Sequence, residues 1–246
     1  MILELDCGNS FIKWRVIFPG CSSPVCEGIA VDADAILHEL AIRKVLTISR
    51  CRLVSVRSDA ETESLKAALS ELLQVDVAVA SPARLLAGVT NGYGEPERLG
   101  LDRWLAVVAA YNLCGGPCVV IDLGTAVTVD VVATNGKHLG GYIAPGLSLL
   151  RGQLLAHTRR VHYDREAGVR ALDELSPGAS TAEAVERGCL IMLRSYISTQ
   201  LTLAASCLGG KFTVYLTGGD AMLASDLPGV VLAPDLVFSG LAIACP

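Results

Sequence analysis

The sequence predicts an α/β protein of two similar halves, each a mixed β-sheet with flanking helices. Three observations predict it. An apolar β-run that turns at Asp-x-Gly and leaves as a second strand occurs twice, at Ile2 to Ile17 and at Val119 to Val132. Around these copies, alternating apolar stretches take turns with stretches of helical spacing. Finally, 52% of the 246 residues are apolar and 18% charged, which is a chain able to bury a large core. Asp6 aligns with Asp122, Gly8 with Gly124 and Asn9 with Thr125. A repeat present in two copies points to two related halves rather than a solenoid. Their boundaries are set at 1–99 and 100–246, with no linker long enough to make them independent.

The first half opens with the Asp6 hairpin. Pro19-Gly20 marks a turn, and residues 25 to 31 read as a third strand. Asp32 is a suitable N-cap for a helix running to Leu46, with Ala33, Ile36, Leu37 and Leu40 on one side. Cys51 to Val56 alternates as a strand. Asp59 to Leu73 is amphipathic, with Leu65, Ala68, Leu69 and Leu72 inward, and Val75 to Ala80 is again a strand. Three antiparallel strands followed by βαβ elements make a mixed sheet. Residues 81 to 99 have weak periodicity, and Asn91-Gly92-Tyr93-Gly94 reads as an exposed loop. Taken alone, Tyr93 is a loop plug before it is a ligand contact.

Gly100-Leu101-Asp102-Arg103 opens a helix that continues from Trp104 to Leu113 and stops at Gly115-Gly116-Pro117. Asp102 lies in the first turn, where a carboxylate favours the positive end of the helix dipole, and that is its simplest reading. Arg103 beside it and a glycine before it also suit a close-approaching small substrate.

The second half starts with the Asp122 hairpin. Lys137 to Ala144 is a strand, Leu147 to His157 a helix, and Arg159 to Ala171 a polar surface excursion. Ser180 with Glu183 forms a capping box for a long helix from Ala182 to about Cys207, with Val185, Leu190, Ile191, Leu193 and Ile197 on its apolar face. Phe212 to Leu216 is a strand, Thr217-Gly218-Gly219-Asp220 opens a short helix, and Asp235 to Ala244 is the last helix.

Net charge is −5, with Lys and Arg scattered, so no basic face for nucleic acid is evident. Nine cysteines, with no C-x-x-C pair and no Cys–His cluster, read as reduced thiols of a cytoplasmic protein and argue against zinc. Trp104 to Ile121 is uncharged for 18 residues, but Gly115-Gly116-Pro117 interrupts it, so no membrane span is expected. Glu4 and Asp6 likewise break any signal-peptide design.

The chemistry sits in the turns. An Asp at a strand end accepts hydrogen bonds or holds a cation, a Gly lets a phosphate reach the backbone, and a Thr adds a hydroxyl. Ordinary Gly hairpins would explain one such turn, but two at matching places favour phosphate binding. There is no Walker G-x-x-x-x-G-K-[ST], and no G-x-G-x-x-G follows the first strand. Nucleotide binding would therefore use the two hairpins for phosphates and the Thr217-Gly218-Gly219-Asp220 turn beside the nucleoside.

This arrangement resembles the superfamily of actin, sugar kinases and heat-shock-chaperone ATPases. More narrowly, Asp6-x-Gly8-Asn9-Ser10-x-x-Lys13, Gly100-x-Asp102-Arg103, Asp122-x-Gly124-Thr125 and Gly140-Gly141-x-Ile143-x-Pro145-Gly146 resemble the type III pantothenate kinases over essentially the whole chain. Ser10 departs from that family's usual Thr and keeps the hydroxyl. The resemblance implies a ribonuclease H-like, actin-like fold with nucleotide in the cleft between the halves. It also implies ATP-dependent phosphorylation of pantothenate to 4′-phosphopantothenate, the first step toward coenzyme A.

By the same resemblance, Asp6, Cys7, Gly8, Asn9, Ser10, Phe11, Ile12 and Lys13 would hold ATP phosphates, with Asp6 also at Mg²⁺. Thr125 would contact a phosphate, and Asp122 would bind a monovalent cation, K⁺ or NH₄⁺. Asp102 would be the base. Tyr93, Gly100, Leu101, Asp102 and Arg103 would contact pantothenate. Thr181 would serve the neighbouring subunit of a homodimer. The alternatives are another small-molecule hydroxyl kinase of the superfamily, or a non-catalytic transcriptional accessory factor. The second is disfavoured by the presence of both Asp6 and Asp102. A chaperone-type ATPase would need subdomains for which 246 residues leave no room.

Overall fold

Strand β1, Ile2–Cys7, is the centre of the first sheet. It pairs antiparallel with β2, Ile12–Ile17, which pairs antiparallel with β3, Pro24–Ala30. On its other side come β4, Arg50–Ser55, and β5, Val77–Val79, both parallel. The order is thus β3-β2-β1-β4-β5, the mixed sheet the sequence implies. The computed structural model describes residues 1–45, 47–172 and 174–246.

Period-2 alternation sends the two faces of β1 to different partners. Leu3, Leu5 and Cys7 join a core with residues of helices α1, Ala33–Ile42, and α2, Asp59–Leu73. Glu4, on the opposite face, is fully buried and bonds Nε of Arg15 and Nε of Arg52 on the two flanking strands. Arg52 also donates to the Cys245 carbonyl at 2.8 Å, and Arg15 lies 4.6 Å from the centroid of Phe238, so this charged cluster docks the C-terminal helix Leu236–Ala244.

Asp32 caps α1, as expected, by accepting from the Ala35 N–H. The helix ends at Ile42, short of the expected Leu46, which lies outside the described residues. Lys44 at φ 55° turns the chain out of it. Where periodicity was weak, the chain makes a two-residue ladder, β6 (Leu85–Leu86) with β7 (Val89–Thr90). Helix α3, Leu101–Cys114, then runs to Gly115 in the left-handed conformation. It packs on the C-terminal helix so closely that a Cβ on Gly240 would lie 2.1 Å from the Leu105 carbonyl oxygen.

This packing explains how compactness divides the chain. One unit holds Met1–Gly115, Gly136–His138 and Asp235–Pro246; the other holds Gly116–Asn135 and Leu139–Pro234. The expected halves 1–99 and 100–246 differ in that α3 and the C-terminal helix belong with the first sheet.

The second sheet contains β8 (Cys118–Leu123), β9 (Ala126–Val132), β10 (His138–Pro145), β11 (Thr213–Thr217) and β12 (Val230–Leu232). Its order, β10-β9-β8-β11-β12, repeats the first sheet position for position. β8 pairs antiparallel with β9 and parallel with β11, as β1 does with β2 and β4. Strand β12 was not among the elements expected from the sequence.

Helix α4 is Leu147–His157. The expected surface excursion contains a helix, α5, Arg165–Ala171, capped by Asp164. Helix α6, Thr181–Leu208, carries the expected capping box. Its buried stripe includes Cys189, Leu190, Leu193 and Ile197. Ile191, expected on that stripe, is 46% exposed, because one residue past Leu190 rotates it about 100° away.

Candidate active site

The first Asp-x-Gly turn is set by the β1–β2 register, which pairs Asp6 with Lys13 and Cys7 with Ile12. Cys7 and Ile12 are fully buried in the core, so only their main chains could reach a ligand. Burial pushes the Cys7 thiol up to about 12, with the charge of Asp6 adding to the rise. Asn9, Ser10, Phe11 and Lys13 are exposed, and Asp6 and Gly8 are half-buried.

The turn is held from outside by Arg57, just after β4, whose Nε donates to the Gly8 carbonyl at 2.9 Å. The Val56 N–H donates to the Cys7 carbonyl at 3.1 Å. Sequence reasoning missed Arg57. The available signal was its place after the strand next to β1, where a parallel neighbour ends beside the turn.

The start of α3 makes the second cluster. Gly100 is its N-cap, and a Cβ there would stand 2.8 Å from Oδ1 of Asp102. Oδ1 accepts from the Arg103 N–H at 2.7 Å. The buried Arg103 reaches Tyr93, donating from Nη1 to its hydroxyl at 3.2 Å. Tyr93 is half-buried rather than loose. Its N–H donates to the Asn91 side chain, its carbonyl accepts from Arg84 at 2.6 Å, and its ring stacks on His138 with centroids 6.1 Å apart. Gly92 cannot carry a Cβ, which would fall 2.0 Å from the His138 carbonyl oxygen. The expected exposed loop is therefore a fixed one. Gly100 and Leu101 line a cavity of about 350 Å³ together with Ser55, Val56, Arg57 and Thr62.

In the second unit, three turns interlock backbone to backbone. A Cβ on Gly146 would lie 2.1 Å from the Gly124 carbonyl oxygen and 2.7 Å from that of Thr125, and the Gly146 N–H donates to Thr125 O at 3.0 Å. Gly218, at φ +96°, lies under Leu123 and Asp122: a Cβ there would be 2.3 Å from the Leu123 carbonyl oxygen and 2.4 Å from Oδ1 of Asp122. The Asp220 N–H closes the arrangement on Leu123 O at 2.8 Å. Gly218 is thus held against Leu123 and Asp122, and Thr125 is exposed. Partial burial raises the carboxyl of Asp220, partly offset by Arg151. Thr181 is the first, exposed residue of α6.

Among the described residues no three His, Cys, Asp or Glu side chains gather as a metal cage.

The family model of type III pantothenate kinase matches residues 2–202. The chain belongs to this family. A type III pantothenate kinase of Ectopseudomonas mendocina is 58% identical, the match covering 100% of this chain and 99% of the relative. One from Pseudomonas aeruginosa is 56% identical over the same shares. Among solved structures, acetate kinase of Porphyromonas gingivalis matches at a TM-score of 0.53 and 12% identity, covering 99% of this chain and 98% of that one. At that identity the likeness is one of fold, the actin-like and sugar-kinase fold. All the motif residues assigned by resemblance to type III pantothenate kinases fall inside the matched range, whereas the Gly218-Gly219-Asp220 turn lies beyond it.

Proposed function

We propose that the chain transfers the γ-phosphoryl group of ATP to the primary hydroxyl of pantothenate, giving 4′-phosphopantothenate and ADP, the first step toward coenzyme A. The observation that carries this reading is the start of α3. A carboxylate in the first helical turn stands beside an N-cap with no side chain, next to the Arg103–Tyr93 hydrogen bond and a cavity lined by Gly100 and Leu101.

In this proposal Asp102 accepts the hydroxyl proton as the oxygen–phosphorus bond forms and the β,γ-bridging bond breaks. The transition state is loose, so orienting the hydroxyl is the larger part of its task. Leu101 and Gly100 shape the wall, and Tyr93 and Arg103 hold the acid substrate. Asp6 and the main chain from Cys7 to Ile12, with Asn9, Ser10 and Lys13, bind the nucleotide phosphates. Thr125 adds a hydroxyl to one of them.

Asp6, together with the phosphates, would hold Mg²⁺, which would supply charge neutralisation. Asp122, at the strand end of the second hairpin, would hold a monovalent cation, K⁺ or NH₄⁺, which would supply further positive charge. The enzyme is proposed to be a cytoplasmic homodimer in which Thr181 serves the partner's site. Nine free thiols support the compartment, and the exposed Ile191 and Met192 on α6 support the association. No described helix is long and apolar enough to cross a membrane, and no nucleic-acid partner is proposed.

The test is ATP consumption by the purified chain with pantothenate against a panel of small hydroxyl compounds, with and without K⁺. Turnover selective for pantothenate is expected. Preference for another hydroxyl compound would reassign the substrate.

A further inference from the structure

Among the described residues, many arginines are committed to carboxylates. Arg15 and Arg52 share Glu4, Arg151 pairs with Glu186, Arg187 with Glu174 and Glu183, and Arg194 with Asp226. Arg57 is different. It is half-buried, its Nε is spent on the neutral Gly8 carbonyl, and among the described residues no carboxylate lies within ion-pair distance of its guanidinium. A carbonyl orients a guanidinium and does not neutralise it, so the two terminal nitrogens keep a full charge and a planar fork of donors.

The position is also built. The Arg57 N–H donates to Oγ of Ser55 at 3.2 Å, and Ser55 in turn accepts from the Thr62 hydroxyl at 2.7 Å, which fixes the backbone from which the side chain departs. Two cavities meet at this residue, one of about 500 Å³ beside Ile12 and Leu65, the other of about 350 Å³ that includes Gly100 and Leu101. Acids share the same walls, Asp32, Asp34 and Glu61 in the first and Asp59 and Glu97 in the second; hydrogen bonds from Ser58, helped by the Arg57 charge, lower the Glu61 carboxyl, but none of the five forms an ion pair with Arg57. Asp32 and Glu61 are engaged in capping α1 and α2.

We propose that Arg57 is the anion contact of the first turn: its terminal nitrogens bind an anionic oxygen of a substrate while its Nε sets the Gly8 carbonyl. This rests on the kinase reading above. Two substrates could bring that oxygen, the terminal phosphate of the nucleotide or the carboxylate of pantothenate. Tethering to Gly8, within the turn assigned to phosphates, assigns it to the nucleotide.

The experiment uses the full chain with Arg57→Ala, Arg57→Gln and Arg57→Lys. KM is measured for each substrate, and melting temperature with and without MgATP. Arg57→Ala is expected to raise KM for ATP about 10- to 100-fold, the range of one lost charge-assisted hydrogen bond, and to remove the MgATP-induced rise in melting temperature. Arg57→Lys keeps the charge without the fork and should recover part of both, whereas Arg57→Gln should not. A rise in KM for pantothenate with that for ATP unchanged would keep Arg57 as the anion contact and move the anion to the carboxylate.

Unchanged KM for both substrates in Arg57→Lys and Arg57→Gln would overturn the proposal. So would a lower ligand-free melting temperature as the sole effect, leaving Arg57 a scaffold for Gly8. If the parent chain does not phosphorylate pantothenate, the substrate reading fails. An Arg57-dependent MgATP shift would still support the anion contact, and its absence would sink it.

Discussion

Gly218 and Gly219 are neighbours in one turn, and the structure gives them opposite tolerances. Gly218 has φ +96°, and a Cβ there would stand 2.3 Å from the Leu123 carbonyl oxygen and 2.4 Å from Oδ1 of Asp122. Gly219 has no heavy atom within 4 Å of where its Cβ would be. For Gly218→Ala, the left-handed backbone costs about 1–2 kcal/mol. Displacing the β8 backbone and the carboxylate adds an overpacking cost of about 1–3 kcal/mol. The total is about 2–5 kcal/mol, or roughly 4–20 °C in melting temperature for a chain of this size. Gly219→Ala should stay within about 1 kcal/mol of the parent, with stabilisation the more natural sign. Thermal melts of the two variants side by side make the measurement. The displaced carboxylate is the proposed cation ligand, so Gly218→Ala should also lose activity below its melting transition while Gly219→Ala keeps it. Equal melting temperatures for the two alanine variants would refute the placement of this turn under Asp122.

Asp102→Asn should keep the parent's melting temperature within a few degrees and lower kcat by about 10²–10⁴, read by coupled ATP consumption; unaltered kcat would make Asp102 a helix-end residue only. Replacing Na⁺ with K⁺ or NH₄⁺ should raise the rate of the parent, and Asp122→Ala should abolish that response; equal parental rates in both salts would end the cation assignment. Asp102→Asn and Thr181→Trp should each be inactive alone. After subunit exchange, a heterodimer should recover up to about half of one parental dimer's activity, because one site collects both defects; no recovery despite exchange would return Thr181 to its own subunit. Burial raises Cys7 and Cys51 from 9.0 to about 12. In the unfolded chain these thiols ionise near 9, so their contribution to stability is complete below that pH and declines as pH climbs from about 9 toward 12. At pH 8 iodoacetamide should label the exposed Cys21 and Cys207 and spare Cys7 and Cys51 in mass spectra; rapid labelling of the latter pair would contradict their burial.

What could be read from the sequence follows from the range of the forces involved. Caps and local periodicity act within a few residues, so Asp32, the Ser180–Glu183 box and the span Asp59–Leu73 were legible. The repeated Asp-x-Gly hairpin was legible too, and the structure extends it: the repeat includes strand order and strand sense, not the turn alone. Contacts between distant segments were hidden. Glu4 reads as a surface interruption of an apolar strand, and its partners Arg15 and Arg52 sit on flanking strands across the sheet. Tyr93 reads as a loop residue because Arg84 and His138, which hold it, come from other parts of the chain.

The turns illustrate the limit most clearly. Gly146 belongs to a motif of the family resemblance and Gly218 to the third glycine turn, yet the sequence does not show that each is required by a specific carbonyl, Gly124 O and Leu123 O, contributed by the same Asp122 hairpin. Side-chain chemistry named that hairpin from the sequence, while its surroundings are built of main chain, which carries no residue-type signal. Arg57 combines both cases. Its bond to Gly8 is a main-chain contact, and its charge is one of 20 scattered Lys and Arg. Only the parallel pairing of β4 with β1 brings that charge to the first turn. A scattered-charge count gives no sign of a basic face, and it cannot show that one cation stands at the end of a strand beside the turn proposed to hold the phosphates.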